Sequence, residues 1–405
     1  MKRQMAMLGA LAVVLAAGAK PSFFLPERIF AAPGLELNVY YKNVFDSVVP
    51  QNFAYEATCR KGCAELARWC FTPEAADAGK SYELVLSAWN DDGLVASVTS
   101  MVVVAAAAAD PAKRVTLALL GDSLTNCGFQ DQALRMMRGH GYSGYTPVGS
   151  RTTGSNGIAL HDGYGGFTFG AFLTRYRFSE EEVANIQDTA EREQLKALGM
   201  PVKIIHKYQR DLLRSPLVRF EKGEKRVDVR AWLDKVNGGV APDIVVIELG
   251  VNSVFKYAGD VAAIRERIRR DLIPEAKGFI DRLRQDMPDA TYFLCTQPGG
   301  TNQDGFGASY GARASEQHFR KVIFSLNREY DAFVKELNDP RVILMPLAHA
   351  VDPYEAFVQR KLAPSAHSRN NVVRQTNALH LSELGGLQMG DTMAAALMVH
   401  FGQAK

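Results

Sequence analysis

The residue in this chain whose type and position point most clearly to a chemical role is a serine shortly after an apolar run. Residues 115–120 (VTLALL) have the composition of a buried strand, and residues 121–124 (GDSL) follow at once. A strand that ends in glycine delivers Ser123 into a loop at the carboxyl edge of a sheet, where open α/β sheets bind their ligands. A helix beginning soon afterwards directs backbone N–H groups toward an anion there. The alternative is that Asp122 and Ser123 only cap that helix.

Three further short blocks follow this serine in a fixed order. They centre on Gly166 in residues 161–168 (HDGYGGFT), Asn252 in residues 242–253 (PDIVVIELGVNS) and His380 in residues 377–381 (NALHL). With the serine block they resemble the GDSL/SGNH hydrolase family, whose members are recognised by ordered Ser, Gly, Asn and His blocks. The resemblance runs from Arg114 to the C-terminus and implies a serine esterase on a three-layer, flavodoxin-like α/β domain.

The resemblance implies a role for each of the four residues. Ser123 is the implied nucleophile, and its own N–H is one oxyanion donor. The N–H of Gly166 and the side-chain amide of Asn252 are the other two donors, and only glycine lets a main-chain N–H approach a tetrahedral intermediate without a side chain in the way. Two other glycines in the same block leave its register open. His380 is the implied general base, which takes the serine proton and returns it to the leaving alcohol.

The chain departs from the family pattern at two positions. Ser253 stands where the family usually has Asp after the Asn, and Asn377 stands where it usually has Asp three residues before the His. Asparagine orients an imidazole through its amide oxygen but supplies no negative charge. The open alternatives are a Ser–His dyad with Asn377 as orienting residue, or an acid from elsewhere, for which Asp352 and Asp391 are candidates.

The pattern between residues 35 and 105 is typical of short strands separated by turns. Asn-Asp-Asp-Gly at 90–93 joins two β-rich runs and indicates a hairpin. This pattern predicts a small all-β sandwich domain over residues 30–108, ended by an alanine-rich linker. Trp69 and Trp89 fall in its strand-like runs, where a place in the core is a better interpretation than sugar binding.

Beyond Arg114 apolar runs alternate with longer helical patterns, which predicts a parallel sheet with crossover helices over residues 113–405. Strands are predicted at 115–120, 244–249, 291–296 and 342–345, and helices at 130–139, 261–285, 314–337 and 383–400. The charged residues 180–239 do not fit the alternation. They are interpreted as an insertion over the sheet.

The first residues have the pattern of a secretory signal peptide at 1–19. Lys2 and Arg3 precede an apolar run at 5–17, which the small residues 17–19 end. The run is shorter than the ~20 residues that cross a bilayer, so we expect a secreted or periplasmic protein without stable membrane insertion. The net charge of +3, from 47 basic and 44 acidic residues, is too small to indicate a nucleic-acid partner.

Export would permit disulfides, and three of the five cysteines lie close together. One bridge among Cys59, Cys63 and Cys70 is predicted, with its pairing open. Cys127 and Cys295 are interpreted as buried free thiols. No His or fourth Cys lies near the three at zinc-site spacing, and no phosphate-binding glycine loop occurs, so neither a metal nor a cofactor is expected.

Resemblance to exported family members with an accessory β-module and a similar 161–168 loop favours hydrolysis of a short acyl group, above all acetyl, from a carbohydrate. The expected partner is thus an acylated carbohydrate, and the oligomeric state is open. One alternative is a lipase-like or lysophospholipase-like esterase. Another is an inactive carbohydrate-binding protein on a hydrolase fold that has lost its acid.

Overall fold

The computed structural model describes residues 21–47, 49–107, 113–154, 156–175, 215–221 and 224–403. The predicted signal peptide at 1–19 and residues 180–214 of the predicted insertion lie outside them. No helix within the described ranges is long and apolar enough to cross a membrane.

The N-terminal part forms two small sheets and one short helix. The strands are β1 (Arg28–Ala31), β2 (Leu37–Tyr40), β3 (Ala54–Thr58), β4 (Cys63–Ala64), β5 (Arg68–Phe71), β6 (Ser81–Asn90) and β7 (Gly93–Val104), and the helix is α1 (Tyr41–Val44). One sheet has the order β1-β7-β6-β3 and the other β2-β5-β4. The predicted hairpin at 90–93 is confirmed, because β6 and β7 pair with Asn90 opposite Gly93.

Residues of the four-stranded sheet are buried in two different cores. Ile29 on β1 and Val102 on β7 belong to the N-terminal core, whereas their neighbours Phe30 and Val103 belong to the main core of the chain. This alternation follows from the strand period of two. The β-rich part therefore shares buried surface with the rest of the protein, and an independent sandwich domain over residues 30–108 stays a prediction.

Two of the three clustered cysteines face each other. β4 and β5 are antiparallel, with Cys63 directly opposite Cys70. Opposed residues of such a pair lie on the same face, within the Cα separation that a disulfide spans. Both are free thiols in this structure. The thiol of Cys59 lies elsewhere, among the residues packed on the N-terminal core.

The main sheet is parallel and has six strands. Its strands are β8 (Val115–Gly121), β9 (Tyr145–Val148), β10 (Asp162–Gly163), β13 (Ile244–Glu248), β14 (Thr291–Cys295) and β15 (Val342–Met345). Two further two-stranded sheets in the described ranges consist of β11 (Val218–Glu221) with β12 (Glu224–Val227) and of β16 (Gln359–Leu362) with β17 (Val372–Gln375). The main sheet has the order β10-β8-β13-β14-β15, and β9 also pairs with β8. Counting β9 and β10 as one edge position gives the 2-1-3-4-5 order of flavodoxin-like folds. The predicted α/β architecture with a parallel sheet is confirmed.

Nine further helices surround the main sheet in the described ranges. They are α2 (Phe129–Gly139), α3 (Phe169–Thr174), α4 (Val229–Asn237), α5 (Val251–Val254), α6 (Val261–Arg267), α7 (Ile273–Arg284), α8 (Gln303–Tyr310), α9 (Glu316–Leu337) and α10 (Glu383–Gln403). A π-helical turn, Ile268–Leu272, joins α6 to α7 within the predicted helix 261–285. α10 packs on α2 and α9 packs on α6. β13 is buried along its whole length, as expected for a parallel strand covered on both faces.

The interpretation of the charged, partly helical residues 180–239 as an insertion over the sheet is wrong for residues 229–237. Residues 229–237 form the amphipathic helix α4, whose Trp232 and Leu233 are buried in the main core. Asp228 caps this helix by accepting a hydrogen bond from the Ala231 N–H over 2.8 Å. The segment thus connects β10 to β13 as an ordinary crossover helix, and its charged residues lie on the helix's outer side.

Candidate active site

Ser123 lies just beyond the carboxyl end of β8, on a turn that is tied to β13. Gly121 stands opposite Glu248 in the parallel register. The next residue, Asp122, donates its N–H to the Glu248 carbonyl oxygen over 3.2 Å. A Cβ atom at Gly121 would lie only 1.9 Å from Thr125 Oγ1, so this position requires glycine. The turn fixes the Ser123 backbone while the residue stays partly exposed.

The interpretation of this block as a helix cap is wrong. α2 begins only at Phe129, after a 3-10 turn at Thr125–Cys127, and its N-cap residue Gly128 makes no side-chain capping bond. Asp122 Oδ1 instead accepts the Leu124 N–H over 2.9 Å. The aspartate therefore shapes the turn around the serine and does not cap the helix.

The glycine block forms a tight turn beside the serine. The Phe167 N–H donates to the Tyr164 carbonyl oxygen over 3.1 Å, and Gly166 has a φ of +72°, which favours glycine at this turn position. Gly166 is exposed. The N–H of Gly163 already donates to His161 Nδ1 over 3.0 Å. Of these two glycines, Gly166 is thus the better-placed backbone donor.

A buried carboxylate anchors the glycine loop from beneath. Asp162 accepts hydrogen bonds from the hydroxyls of Ser150 and Tyr164, the latter at 2.8 Å, and from Trp232 Nε1 at 2.9 Å. Desolvation raises the pKa of Asp162, and these donors oppose the rise. The crossover helix α4 thereby holds the loop against the sheet.

Asn252 connects the serine turn to the glycine loop. It lies on the short helix α5 that follows β13, and its Nδ2 donates to Asp122 Oδ2 over 2.7 Å and to the Phe167 carbonyl oxygen over 3.1 Å. Its side chain thus lies between the two loops with both amide hydrogens engaged, so donation to an oxyanion would take the place of the longer bond to Phe167. Ser253, which replaces the usual acid, has a buried Oγ without a hydrogen-bond partner among the described residues.

His380 lies on a loop immediately before α10. Its N–H donates to Asn377 Oδ1 over 2.9 Å, and its carbonyl oxygen accepts the Val358 N–H over 3.3 Å. These bonds fix the backbone and leave the ring unconstrained. Burial lowers the pKa of His380, and no acidic side chain of the described ranges offsets that effect. The imidazole is therefore neutral near pH 7, the state in which a general base accepts a proton.

The thiol of Cys127 marks where the serine and histidine segments meet. Its Sγ lies 3.8 Å from the Ser123 carbonyl oxygen, and the backbone of Leu381, the neighbour of His380, lowers the pKa of the thiol. A Cβ on Gly386 in α10 would lie 2.6 Å from the Cys127 carbonyl oxygen, so the final helix packs directly on the serine turn. The His380 segment therefore borders the turn that carries Ser123.

The proposed partners of the His380 ring are engaged with other groups. The Asn377 amide oxygen accepts the backbone N–H groups of Leu379 and His380. Asp352 accepts the hydroxyl of Tyr40 over 3.2 Å, and Asp391 accepts Gln132 Nε2 over 2.7 Å. Across the described part of the chain no side chain hydrogen-bonds to the ring. A role for any of these three residues in orienting His380 stays a prediction.

A second carboxyl, which is not among the predicted site residues, lies beneath the serine turn. Glu248, the last residue of β13, is fully buried next to the equally buried Asp122, and its Oε2 accepts the Thr125 hydroxyl over 3.2 Å. Desolvation raises the pKa of both carboxyls, and the charge of Asp122 raises that of Glu248 further. The available signal was an acidic residue that ends the otherwise apolar strand 244–248.

In the described ranges no three His, Cys, Asp or Glu side chains are grouped to hold a metal ion.

Comparisons with known proteins give weak similarities only. No family model and no curated protein matches the chain. Several solved structures do. A serine-to-alanine variant of an acetyl esterase with acetate shares 12% identity over 72% of this chain and 100% of its own, with a TM-score of 0.39. A family 3 carbohydrate esterase from Clostridium thermocellum shares 15% over 69% and 93%, with a TM-score of 0.33. An extracellular lipase from Streptomyces rimosus shares 12% over 69% and 97%, with a TM-score of 0.34.

These neighbours are esterases and lipases. Similarity at this level carries no argument about activity or substrate. The functional conclusion accordingly depends on the chain's own residues.

Proposed function

We propose that this chain is an exported serine esterase of the GDSL/SGNH type that removes short acyl groups, above all acetyl, from carbohydrate. The observation that carries the proposal is the link made by Asn252, whose amide bonds both to Asp122 beside Ser123 and to Phe167 beside Gly166. Three blocks that lie far apart in sequence thus meet at the carboxyl edge of one sheet.

In the proposed reaction Ser123 Oγ attacks the ester carbonyl carbon while the His380 imidazole takes the serine proton. The N–H groups of Ser123 and Gly166 and the amide of Asn252 stabilise the oxyanion. His380 then gives its proton to the departing alcohol oxygen, which leaves an acyl-enzyme. Water attacks this ester with His380 again as base, releases the carboxylic acid and restores the serine.

The titration of nearby groups supports these roles. Because burial lowers the pKa of His380, the imidazole is available as a base at neutral pH. The neighbouring thiol of Cys127 does not compete as nucleophile, since burial raises its pKa to about 12 and the thiolate is the reactive form.

The alternatives differ in acyl group and in activity. A lipase-like enzyme would prefer long acyl chains. An inactive carbohydrate-binding protein is favoured by one observation, namely that no carboxylate of the described residues stands by the His380 ring. Acetyl specificity and the carbohydrate depend on the resemblance of the 161–168 loop to that of carbohydrate-ester hydrolases.

The deciding experiment compares wild-type protein with Ser123→Ala on an aryl acetate. We expect hydrolysis to be lost in Ser123→Ala and kept in the control Ser81→Ala, which changes an exposed serine on β6. Wild-type activity in Ser123→Ala would overturn the nucleophile assignment. Aryl esters of increasing chain length then separate esterase from lipase, and acetate release from a panel of acetylated glycans tests the carbohydrate.

A further inference from the structure

Directly beneath the proposed nucleophile the protein buries two carboxyl groups side by side. Asp122 and Glu248 are both inaccessible to solvent. Asp122 directly follows Gly121, which stands opposite Glu248 in the sheet, and the two carboxyls act on each other's pKa. Two N–H donors serve Asp122, from Leu124 at 2.9 Å and Asn252 at 2.7 Å. Glu248 Oε2 accepts the Thr125 hydroxyl, and the Gln297 side chain and the Asp122 N–H also act on this carboxyl, whereas its Oε1 has no donor among the described residues.

No Lys, Arg or His of the described residues acts on this pair. The titratable groups that act on it from neighbouring elements are Cys127 before α2, Cys295 at the end of β14 and Tyr330 on α9. Burial raises the pKa of all three, so each keeps its proton and stays neutral. The hydroxyl of Tyr330 donates to the Leu249 carbonyl oxygen over 2.8 Å. Two adjacent buried carboxylates without a cation are strongly unfavourable, so the pair retains one proton.

One oxygen without a donor, Glu248 Oε1, indicates which carboxyl holds that proton. Asp122 accepts N–H groups at both of its oxygens, which stabilise a carboxylate. The undonated Oε1 of Glu248 is satisfied if it carries the proton and donates it to Asp122. Provided that the proposed esterase function holds, we propose that Glu248 is a positioning residue: as a neutral acid it donates to the Asp122 carboxylate, which in turn fixes the oxyanion donor Asn252.

This arrangement forms one chain of hydrogen bonds across the site. Glu248 donates to Asp122, Asn252 donates to the same carboxylate, and the Asn252 amide also donates to Phe167. Loss of the Glu248 proton would set two negative charges against each other and displace the carboxylate that holds Asn252. The effect on catalysis then passes through Asn252 and leaves the binding of substrate unchanged.

The test uses two substitutions of similar size. Glu248→Gln keeps a neutral donor toward Asp122 and an acceptor for Thr125, so it is expected to rescue turnover to near the wild-type level. Glu248→Leu removes both, and we expect kcat on an aryl acetate to fall by up to about 10²-fold with KM little changed, as for misplaced catalytic groups. If Glu248→Gln loses as much turnover as Glu248→Leu, the neutral-acid proposal is overturned.

A double-mutant cycle separates positioning from a general loss of stability. If Glu248 acts through Asn252, Glu248→Leu costs little further kcat in an Asn252→Ala background, whereas independent effects would multiply. Glu329→Gln is the matched control, since Glu329 is a buried acid ion-paired with Arg265 and Arg269 outside the site. It is expected to lower stability and leave kcat unchanged. Multiplying effects in the cycle would refute the positioning role.

Infrared difference spectra observe the proton itself. Wild type minus Glu248→Gln is expected to show a carboxylic-acid carbonyl band at neutral pH, and its absence would contradict the proposal. Each of these negative results leaves the esterase assignment intact as long as hydrolysis still depends on Ser123. Failure of Ser123→Ala to abolish hydrolysis would instead remove the proposed function.

Discussion

Asn252 joins the serine turn to the glycine loop. Its substitution by alanine tests whether the side chain contributes to catalysis as well as to stability. The change removes a hydrogen bond to the Asp122 carboxylate at 2.7 Å and one to the Phe167 carbonyl at 3.1 Å. A bond to a charged group contributes about 1.5–3 kcal/mol to stability and a neutral one about 0.5–1.5 kcal/mol. We therefore expect the free energy of unfolding to fall by about 2–4.5 kcal/mol.

The expected loss of turnover is of different origin. Removal of one oxyanion donor typically lowers kcat by about 10²- to 10³-fold, because the donor acts on charge that develops in the transition state. The assay is kcat at saturating aryl acetate, measured at a temperature where denaturant unfolding shows the variant to be folded. KM is expected to change little, since the ground-state ester carries no full charge at that oxygen.

Asn327→Ala is the matched control. Asn327 also makes two hydrogen bonds with its side chain, accepting the Gln297 N–H at 2.7 Å and donating to the Gln297 carbonyl oxygen at 2.9 Å. It is buried on α9, outside the proposed site. We expect a comparable loss of stability with unchanged kcat. If Asn252→Ala behaves like this control, Asn252 has only a structural role and the proposed oxyanion site is wrong.

Three further outcomes follow from the described geometry. The acidic limb of kcat/KM is expected at a pH below the ordinary histidine pKa of 6.5, because burial lowers the pKa of His380 and only its neutral ring accepts a proton; a limb above that value would contradict this. Asn377→Asp is expected to keep or raise kcat, since a carboxylate still accepts the His380 N–H that now lies 2.9 Å from the amide oxygen, whereas a large loss would show that the amide nitrogen is needed. Oxidised glutathione is expected to link Cys63 to Cys70 in peptide mass maps, with Cys59→Ser leaving the link intact, and a link to Cys59 would exclude this pairing.

The main strands could be predicted because they are buried on both faces. β8, β13, β14 and β15 appear in the sequence as continuous apolar runs, and each lies within about two residues of its predicted bounds. β10 is two residues long and includes Gly163, so the sequence contains no apolar run that predicts it. Its pairing with the end of β8 depends on a tertiary contact and is visible only in the fold.

Within the site, the proposed catalytic residues were easier to predict than the residues that hold their loops in place. Ser123, Gly166 and Asn252 occur in short sequence motifs, so comparison with a family pattern is enough to find them. Asp162 and Trp232 are far apart in sequence, and their hydrogen bond exists only because α4 crosses beneath the glycine loop. No local pattern encodes such a contact.

Under the proposed function, the presence of Asn377 where the resembled family usually has Asp affects which groups lower the barrier. Without a carboxylate beside the ring, nothing in the described ranges opposes the effect of burial on His380, so its imidazole is a weaker base than an acid-supported one. A weaker base leaves more of the barrier to be lowered at the oxyanion. Negative charge is instead held under the serine turn, where Asp122 orients Asn252. On this argument, substitutions that disturb Asn252 should cost more turnover than any change at Asn377, and the reverse ranking would show that support of the imidazole limits the reaction.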